Sequence, residues 1–327
     1  MKTTIFACVL CALSTHAMAQ SKVEIYGVVD LGLTKGNGGG ATNPGANGTN
    51  KAWMMKQASA SRLGFRGTED LGNGMSVGFL MENRFQPDTG VSNTPYFMQS
   101  TISLTHKDVG TLWMGRDYAP FFWVAIKADP FGLDGVGQIG NTQYNDFKSN
   151  SDNQARTNNT VGFKSKRFAG FSVDAAYSLR EEAANSQVGI NVQYQTQKIY
   201  AGLGYAKVQQ PVVANAANND ELLNIALIYS FDNWRAISYY SNAKNKNFHT
   251  QSKQYTLGMD ARIGSGRFKV AYTNLNSDLN RLDRQKFGIG YDYELSKLTR
   301  LYFDVGYAKQ KYVSNNTAVG VGIRKSF

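Results

Sequence analysis

The sequence lacks any long apolar run, although 42% of its 327 residues are hydrophobic. A helix that crosses a bilayer needs about 20 consecutive apolar residues, so a helical membrane protein is excluded. Charged residues are also scarce, at 18%, while 12% of the residues are aromatic. A chain so rich in aromatic and β-branched residues can bury a core, which argues against intrinsic disorder.

The first 19 residues have the features of a secretory signal peptide. Lys2 supplies a positive start, an apolar stretch follows, and Ala17-Met18-Ala19 forms an A-x-A cleavage pattern. We therefore predict that residues 1–19 are removed and that residues 20–327 form one exported domain.

Cysteine is limited to Cys8 and Cys11, both inside this predicted signal peptide. The exported chain would then have no thiol. A disulfide framework is excluded, as are zinc sites that need cysteine ligands.

Histidine is equally scarce, and only His106 and His249 lie beyond the signal peptide. No nucleophile elbow or Walker A sequence accompanies them, and each is predicted to be a solvated surface residue. We expect neither catalysis nor a cofactor or bound metal.

Basic residues outnumber acidic ones, 35 against 24, for a formal net charge of +11. By itself this excess is compatible with nucleic acid, a membrane surface or an anionic solute as the partner. The strand pattern decides among them.

After the signal peptide, apolar and polar residues alternate over most of the chain. This period of two places alternate side chains on opposite faces of a β-strand. The clearest runs are Val23–Leu33, Phe171–Leu179, Val188–Tyr194, Ile199–Tyr205, Tyr255–Ile263, Phe287–Leu295, Leu301–Tyr307 and Val319–Phe327. The chain is predicted to be all-β.

The connections between these runs alternate between short and long. Short ones are predicted at Glu69–Asn73, Lys107–Gly110, Phe231–Asn233, Gly264–Gly266 and Ser296–Lys297. Short periplasmic turns and long external loops are typical of outer-membrane β-barrels. The run count predicts an antiparallel barrel of about 16 strands. The alternative is a soluble β-sandwich or β-helix, but sandwich strands average about 5–6 residues, shorter than several of these runs.

Six segments carry a more specific signal. They are VEIYGVVD (Val23–Asp30), SRLGFRGTEDLGNG (Ser61–Gly74), GTLWMGR (Gly110–Arg116), RTNNTVGF (Arg156–Phe163), YDYELSKLTRL (Tyr291–Leu301) and VGVGIRKSF (Val319–Phe327). Together they resemble the general porins of Gram-negative bacteria, in their betaproteobacterial branch.

This resemblance implies a 16-stranded homotrimeric barrel in the outer membrane, in contact with its lipid and lipopolysaccharide. It implies that the third loop folds into the lumen as a constriction. The terminal Phe327 resembles the signal that the outer-membrane assembly machinery reads. No nucleic-acid partner is expected.

Because alternate residues of a strand face opposite sides of the sheet, the odd or even position of a residue (its strand parity) tells whether it faces the lumen. By this rule several charged residues lie inside the barrel. Arg62 and Arg66 share one face of a strand, Glu82 and Arg84 share one face of the next, and Asp30 and Arg156 point inward by the same rule. Facing lipid, a charge near the midplane would cost about 2–4 kcal/mol, whereas a water-filled lumen keeps it solvated.

Arg116 departs from this rule, because its parity matches that of Leu112 and Met114 on the lipid side. The resemblance implies that it turns inward, which would require a β-bulge.

The third loop is predicted over Pro120–Gln154. Its first part is too apolar for solvent and is expected to pack against the barrel wall, with Asp129 and Asp134 facing the arginines across the pore. The alternative is a loop that packs at the trimer interface.

The functional prediction is a porin for passive diffusion of ions and small hydrophilic solutes, mildly anion-selective. A substrate-specific anion channel remains an alternative. So does a barrel that acts mainly as an adhesin or receptor through its external loops.

Overall fold

The fold is one closed antiparallel sheet, seen in a computed structural model that describes residues 22–41, 50–139, 155–181, 186–209, 219–245, 250–278 and 283–327. The predicted signal peptide lies outside these residues. The strands are β1 (Lys22–Gly36), β2 (Met54–Lys56), β3 (Ser61–Gly72), β4 (Met75–Phe85), β5 (Ser92–His106), β6 (Gly110–Tyr118), β7 (Arg156–Ser165), β8 (Phe171–Ser178), β9 (Ser186–Gln195), β10 (Ile199–Gln209), β11 (Asn219–Ser230), β12 (Trp234–Asn245), β13 (Thr250–Ile263), β14 (Gly266–Ser277), β15 (Arg284–Ser296), β16 (Thr299–Gln310) and β17 (Asn316–Ser326). Helix α1 (Pro120–Lys127) lies between β6 and β7.

The barrel closes between its first and last strands. β17 pairs with β1 from Val28 to Gly36, and the backbone N–H and C=O of Phe327 bond to those of Gly27. A Cβ at position 27 would collide with the Phe327 ring, so only glycine allows this approach.

The other edge of β1 explains the strand count. Its first half pairs with β3 and its second half with β2, so β2 and β3 are two pieces of one barrel strand. Counted this way, the described residues form a barrel of 16 strands, which confirms the predicted fold class.

Alternation along the strands separates two faces. Outward positions carry exposed apolar side chains such as Leu203, Ile225 and Leu257, whereas inward positions carry buried polar ones such as Asn224 and Gln254. Within the described residues, no helix is long and apolar enough to cross a membrane.

The two ends of the barrel differ. Seven short turns join successive strands at one end, here called the turn end, and five of them match the short connections predicted from the sequence. The β3–β4 turn consists of Asn73 and Gly74, with φ of 52° and 77°. Two positive φ angles fit a type I′ hairpin turn, which Asn-Gly favours.

The outward face gives a direct test of lipid exposure. Leu227 on β11 is 53% exposed and pairs with Ala201 and Ser238. Leu227→Arg places a charge on this face and is expected to cost about 2–4 kcal/mol near the midplane. Unfolding by urea in lipid vesicles measures the loss. Leu227→Phe keeps the position apolar and should unfold like the unsubstituted protein; equal stability of both variants would contradict a lipid-facing Leu227.

Candidate functional site

The connection between β6 and β7 enters the barrel. Helix α1 packs Phe121 and Val124 against inward residues of β10 and β11, including Ala206 and Leu222. Two wall amides bind its first turn: Asn191 Nδ2 donates to the carbonyl of Pro120 at 2.6 Å, and Asn224 Nδ2 donates to that of Phe121 at 3.0 Å. The described part of the third loop therefore lies on the inner wall.

Asp129 organises the segment after the helix. Its carboxylate accepts hydrogen bonds from the backbone N–H groups of Phe131, Leu133 and Ile139, at 2.9, 3.2 and 3.1 Å, and the residue is only 4% exposed. These three N–H groups have the Asp129 carboxylate as their acceptor, so the carboxylate points into the loop. From the sequence, Asp129 is expected to face the pore as part of an acidic wall. Its carboxylate instead accepts most of its hydrogen bonds from the loop itself.

Asp30 organises the part of the wall to which the end of the loop is attached. Its carboxylate accepts hydrogen bonds from the N–H groups of Ala58 and Ser59, at 2.9 and 3.2 Å, and from Tyr302 Oη at 2.8 Å. These bonds shape the gap between β2 and β3. The carbonyl of Ala58 then accepts a hydrogen bond from Gly135 N at 3.1 Å, which fastens the loop to the gap.

A cavity of about 1120 Å³ lies in the lumen and has a strongly basic lining. Its described basic residues are Lys56, Arg62, Arg84, Lys127, Arg156, Lys198, Arg235, Arg267, Arg300 and Arg324. Its described acidic residues are Asp129, Asp134, Asp292 and Glu294. Ten basic residues against four acidic ones give this part of the lining a large positive excess.

The first arginine cluster consists of Arg62, Arg84 and Arg156. Arg62 and Arg84 are directly opposite each other on β3 and β4, a like-charge pairing that destabilises a sheet. The Glu82 carboxylate compensates for it, at 3.9 Å from Arg62 Nε and 3.3 Å from Arg84 Nε. Glu82 is itself buried and accepts a hydrogen bond from Tyr26 Oη at 3.1 Å.

Tyr118 orients two members of this cluster. Its phenolic oxygen accepts a hydrogen bond from Arg84 Nη2 at 2.6 Å and another from Arg156 Nη2. The Arg156 guanidinium also lies 4.0 Å from the Tyr118 ring centroid, and that ring stacks on Phe122 of α1 at 4.1 Å. The loop helix thereby supports the orientation of the arginines.

A second cluster surrounds Asp134. Arg300 and Arg324 are directly opposite on β16 and β17, and their guanidiniums lie 4.0 and 3.3 Å from Asp134 Oδ2. Asp292 is 3.2 Å from Arg300. Burial raises the pKa of Asp134 to about 6, while the two arginines oppose the rise. Asp134 does meet arginines, as the sequence suggests, but they belong to β16 and β17.

A third cluster joins Arg235 and Arg267 through Asp260, with shortest contacts of 2.6 and 2.5 Å. The motifs that carry the family resemblance do not include Arg235 or Arg267. Strand parity could have found the second and third clusters, because Arg300, for example, directly precedes the outward-facing Leu301.

Three residues expected at the constriction are not in the described lining of the cavity. Arg66 pairs with Glu24 at 2.6 Å near the turn end, and Glu82 is buried behind Arg62 and Arg84. Arg116 remains opposite Ser100 in the ladder and donates a hydrogen bond to Asn158. The bulge required for an inward turn does occur between Gly115 and Asp117, but the cavity lining that the structure describes does not include Arg116.

The bulge places Asp117 next to Lys164, at 2.9 Å, and Gln99, at 2.7 Å. His106 ends β5, and its Nδ1 accepts a hydrogen bond from Asp108 N at 3.2 Å. His249 lies outside the described residues.

Comparisons with known proteins agree on one family. A family model described as Gram-negative porin matches residues 7–312. Outer membrane porin protein 32 of Delftia acidovorans is 28% identical, and an outer membrane porin protein of Bordetella pertussis is 27% identical, each over the full length of both chains. The solved structure of an anion-selective porin from Comamonas acidovorans superposes with a TM-score of 0.81 at 24% identity, covering 94% of this chain and 100% of that one.

Proposed function

The chain belongs to the Gram-negative porin family, and we propose that its arginine clusters make the channel prefer anions. As a member of this family it is an outer-membrane porin, a barrel with a water-filled lumen for passive diffusion of ions and small hydrophilic solutes. Members of this family are channels, which supports the expectation that the protein is not an enzyme.

The observation that carries the proposal is the charge of the lumen lining, ten basic against four acidic residues among those described. Fixed charges in a pore set the potential that a permeating ion meets. Glu82 serves Arg62 and Arg84 together, and Asp134 contacts both Arg300 and Arg324. The pair Arg62 and Arg84 therefore keeps a positive excess that attracts anions and repels cations, whereas Arg300 is also paired with Asp292 at 3.2 Å.

We propose that Arg62, Arg84 and Arg156 form one wall of the constriction, with the third loop as the other. The structurally similar porin from Comamonas acidovorans is described as anion-selective, which supports the same preference here. The oriented guanidiniums around Tyr118 favour small hydrated anions over a neutral or cationic solute.

A planar-bilayer recording under a KCl gradient tests the proposal. We expect single channels whose reversal potential shifts toward the chloride equilibrium potential. A shift toward the potassium potential would refute anion preference, and an absence of conductance from folded protein would refute the channel.

Asp134 predicts a pH dependence of this preference. Its carboxyl group, with a pKa of about 6, is charged at pH 7.5 and mostly protonated at pH 5. Protonation removes a negative charge beside Arg300 and Arg324, so chloride preference should increase as the pH falls through about 6. Reversal potentials between pH 7.5 and 5 measure the change. Asp134→Asn should have the higher preference already at pH 7.5 and lose this step; an unchanged step would assign it to another group.

Four further expectations stay predictions. They are the signal peptide of residues 1–19, homotrimeric assembly, contact with lipopolysaccharide, and recognition of Phe327 by the assembly machinery. The closing backbone bonds of Phe327 and its half-exposed side chain are compatible with that recognition, because the strand end is paired while the ring is accessible.

A further inference from the structure

Arg235 and Arg267 lie in the lumen at its turn end. Arg235 is the second residue of β12, directly after the Phe231–Asn233 turn, and Arg267 is the second residue of β14, after the Gly264-Ser265 turn. Both line the cavity. They are therefore placed where a solute would pass between the lumen and the space beyond the turns.

One buried carboxylate fixes both side chains. Asp260 is directly opposite Arg235 on β13 and is 1% exposed at its side chain. It accepts hydrogen bonds from Arg235 Nε at 3.0 and 3.1 Å, from Arg235 Nη2 at 2.6 Å and from Arg267 Nη1 at 2.5 Å. The two guanidiniums are thereby held in one place before any solute arrives.

The arrangement leaves charge and donors available to the lumen. One carboxylate between two guanidiniums leaves one positive charge. The side chains of Arg235 and Arg267 are 41% and 30% exposed, and each guanidinium has five N–H donors, more than Asp260 engages. Planar, pre-oriented guanidiniums match the oxygen atoms of carboxylates and phosphates.

The neighbouring residues carry charges of both signs: Lys198 adds to this positive field, and Asp292 stands directly opposite Arg267 on β15. Lys198 lines the same cavity, and its carbonyl accepts a hydrogen bond from Ser230 N beside the Phe231–Asn233 turn. Asp292 and Glu294 are the acidic residues of β15 in the lining. Asp292 is neutralised by Lys269 at 2.7 Å and Arg300 at 3.2 Å.

We propose that Arg235 and Arg267 form a discrete anion subsite at the turn end, which takes a carboxylate or phosphate group of a small solute. The subsite rests on the proposed anion channel and adds to it. It is distinct from the cluster around Tyr118, because its arginines stand on β12 and β14 and have their own carboxylate, Asp260. A passing anion would pause here on leaving or entering the lumen.

Inhibition of chloride current by inorganic phosphate tests the subsite. Phosphate is added to both sides of a bilayer that contains the channel, and the concentration that halves the chloride current is measured. In Arg235→Gln/Arg267→Gln this concentration should rise about tenfold, the equivalent of 1.4 kcal/mol. Arg235→Lys keeps a charge for Asp260 but loses the planar fork, so a smaller rise is expected.

Lys107→Gln is the matched control, because Lys107 is exposed in the β5–β6 turn at the same end of the barrel, away from β12–β14, and is not part of the described lining. It should leave phosphate inhibition unchanged. Heat-dependent gel migration checks the fold of each variant. If the double variant does not fold, phosphate inhibition of Arg235→Lys, in which Asp260 stays paired, tests the subsite instead.

The outcomes separate the two proposals. A channel that does not prefer chloride refutes the proposed function. A chloride-preferring channel that phosphate does not inhibit, or whose inhibition is unchanged in the folded Arg235 variants, refutes only the subsite. An equal loss in Lys107→Gln would also overturn it, because the effect would then be one of general surface charge.

Discussion

Replacing both Arg62 and Arg156 by glutamine is expected to lower the chloride-to-potassium permeability ratio by about fivefold to tenfold. The double variant removes two positive charges from the constriction wall. Arg84 stays in place at 3.3 Å from Glu82, so the buried carboxylate keeps a partner. Two unit charges 4 Å apart interact by about 1 kcal/mol even in bulk water, and each 1.4 kcal/mol changes an equilibrium ratio tenfold. The reversal potential in a KCl gradient measures the effect.

Arg66→Gln is the matched control for this variant. Arg66 stands on the same strand and face as Arg62, but it pairs with Glu24 near the turn end and is absent from the described lumen lining. Its replacement should leave the permeability ratio within about twofold of the original value, since a charge paired in high dielectric contributes little. If Arg66→Gln and the double variant changed selectivity equally, the preference would depend on total charge and not on the constriction.

Parity along the strands predicted much of the fold and part of the site. A period of two assigns faces without any knowledge of partners, so it correctly separated Arg62 and Arg84 from Leu63 on the outer face. The same rule holds for Arg300 and Arg324. Their neighbours Leu301 and Ile323 are exposed on the outer surface. Both arginines lie in segments that carry the family resemblance, but the resemblance does not mark either one as a pore residue.

Parity fails where the ladder is irregular or where the chain leaves it. The bulge between Gly115 and Asp117 changes the register on one side of β6 only, and a periodic pattern cannot reveal such a shift. The alternation places Asp30 inward, as in the structure, but its bonds to Ala58 and Ser59 depend on a strand break more than 25 residues away. Asp129 and Asp134 lie in a loop, where no periodicity fixes orientation.

Asp129→Ala is expected to release the third loop and to destabilise it by about 3 kcal/mol or more, because each buried N–H group left without an acceptor costs about 1–3 kcal/mol. The substitution removes the acceptor for the N–H groups of Phe131, Leu133 and Ile139. It also removes one of the two carboxylates, with that of Asp304, that attract the ammonium group of Lys286, a fully buried side chain on β15.

The barrel itself should persist, because none of its ladder bonds involves Asp129. A loop that is no longer fixed should give larger and noisier single-channel currents, and earlier proteolytic cleavage within the loop. Asp134→Asn is the control within the same loop. It removes a charge that faces Arg324 but leaves the loop amides paired, so current noise should stay at its original level.

A second substitution separates loss of the loop's hydrogen bonds from an orphaned lysine charge. Asp129→Asn/Lys286→Met removes both members of the buried charge pair while keeping an amide oxygen for the loop N–H groups. Because replacing a whole buried pair by uncharged groups is far less costly than removing one partner, this double variant should recover most of the original current stability. If it is as noisy as Asp129→Ala, the loop amides need the charged carboxylate itself. If Asp129→Ala is as quiet as the unsubstituted channel, the packing of α1 against Asn191 and Asn224 alone holds the loop in the lumen.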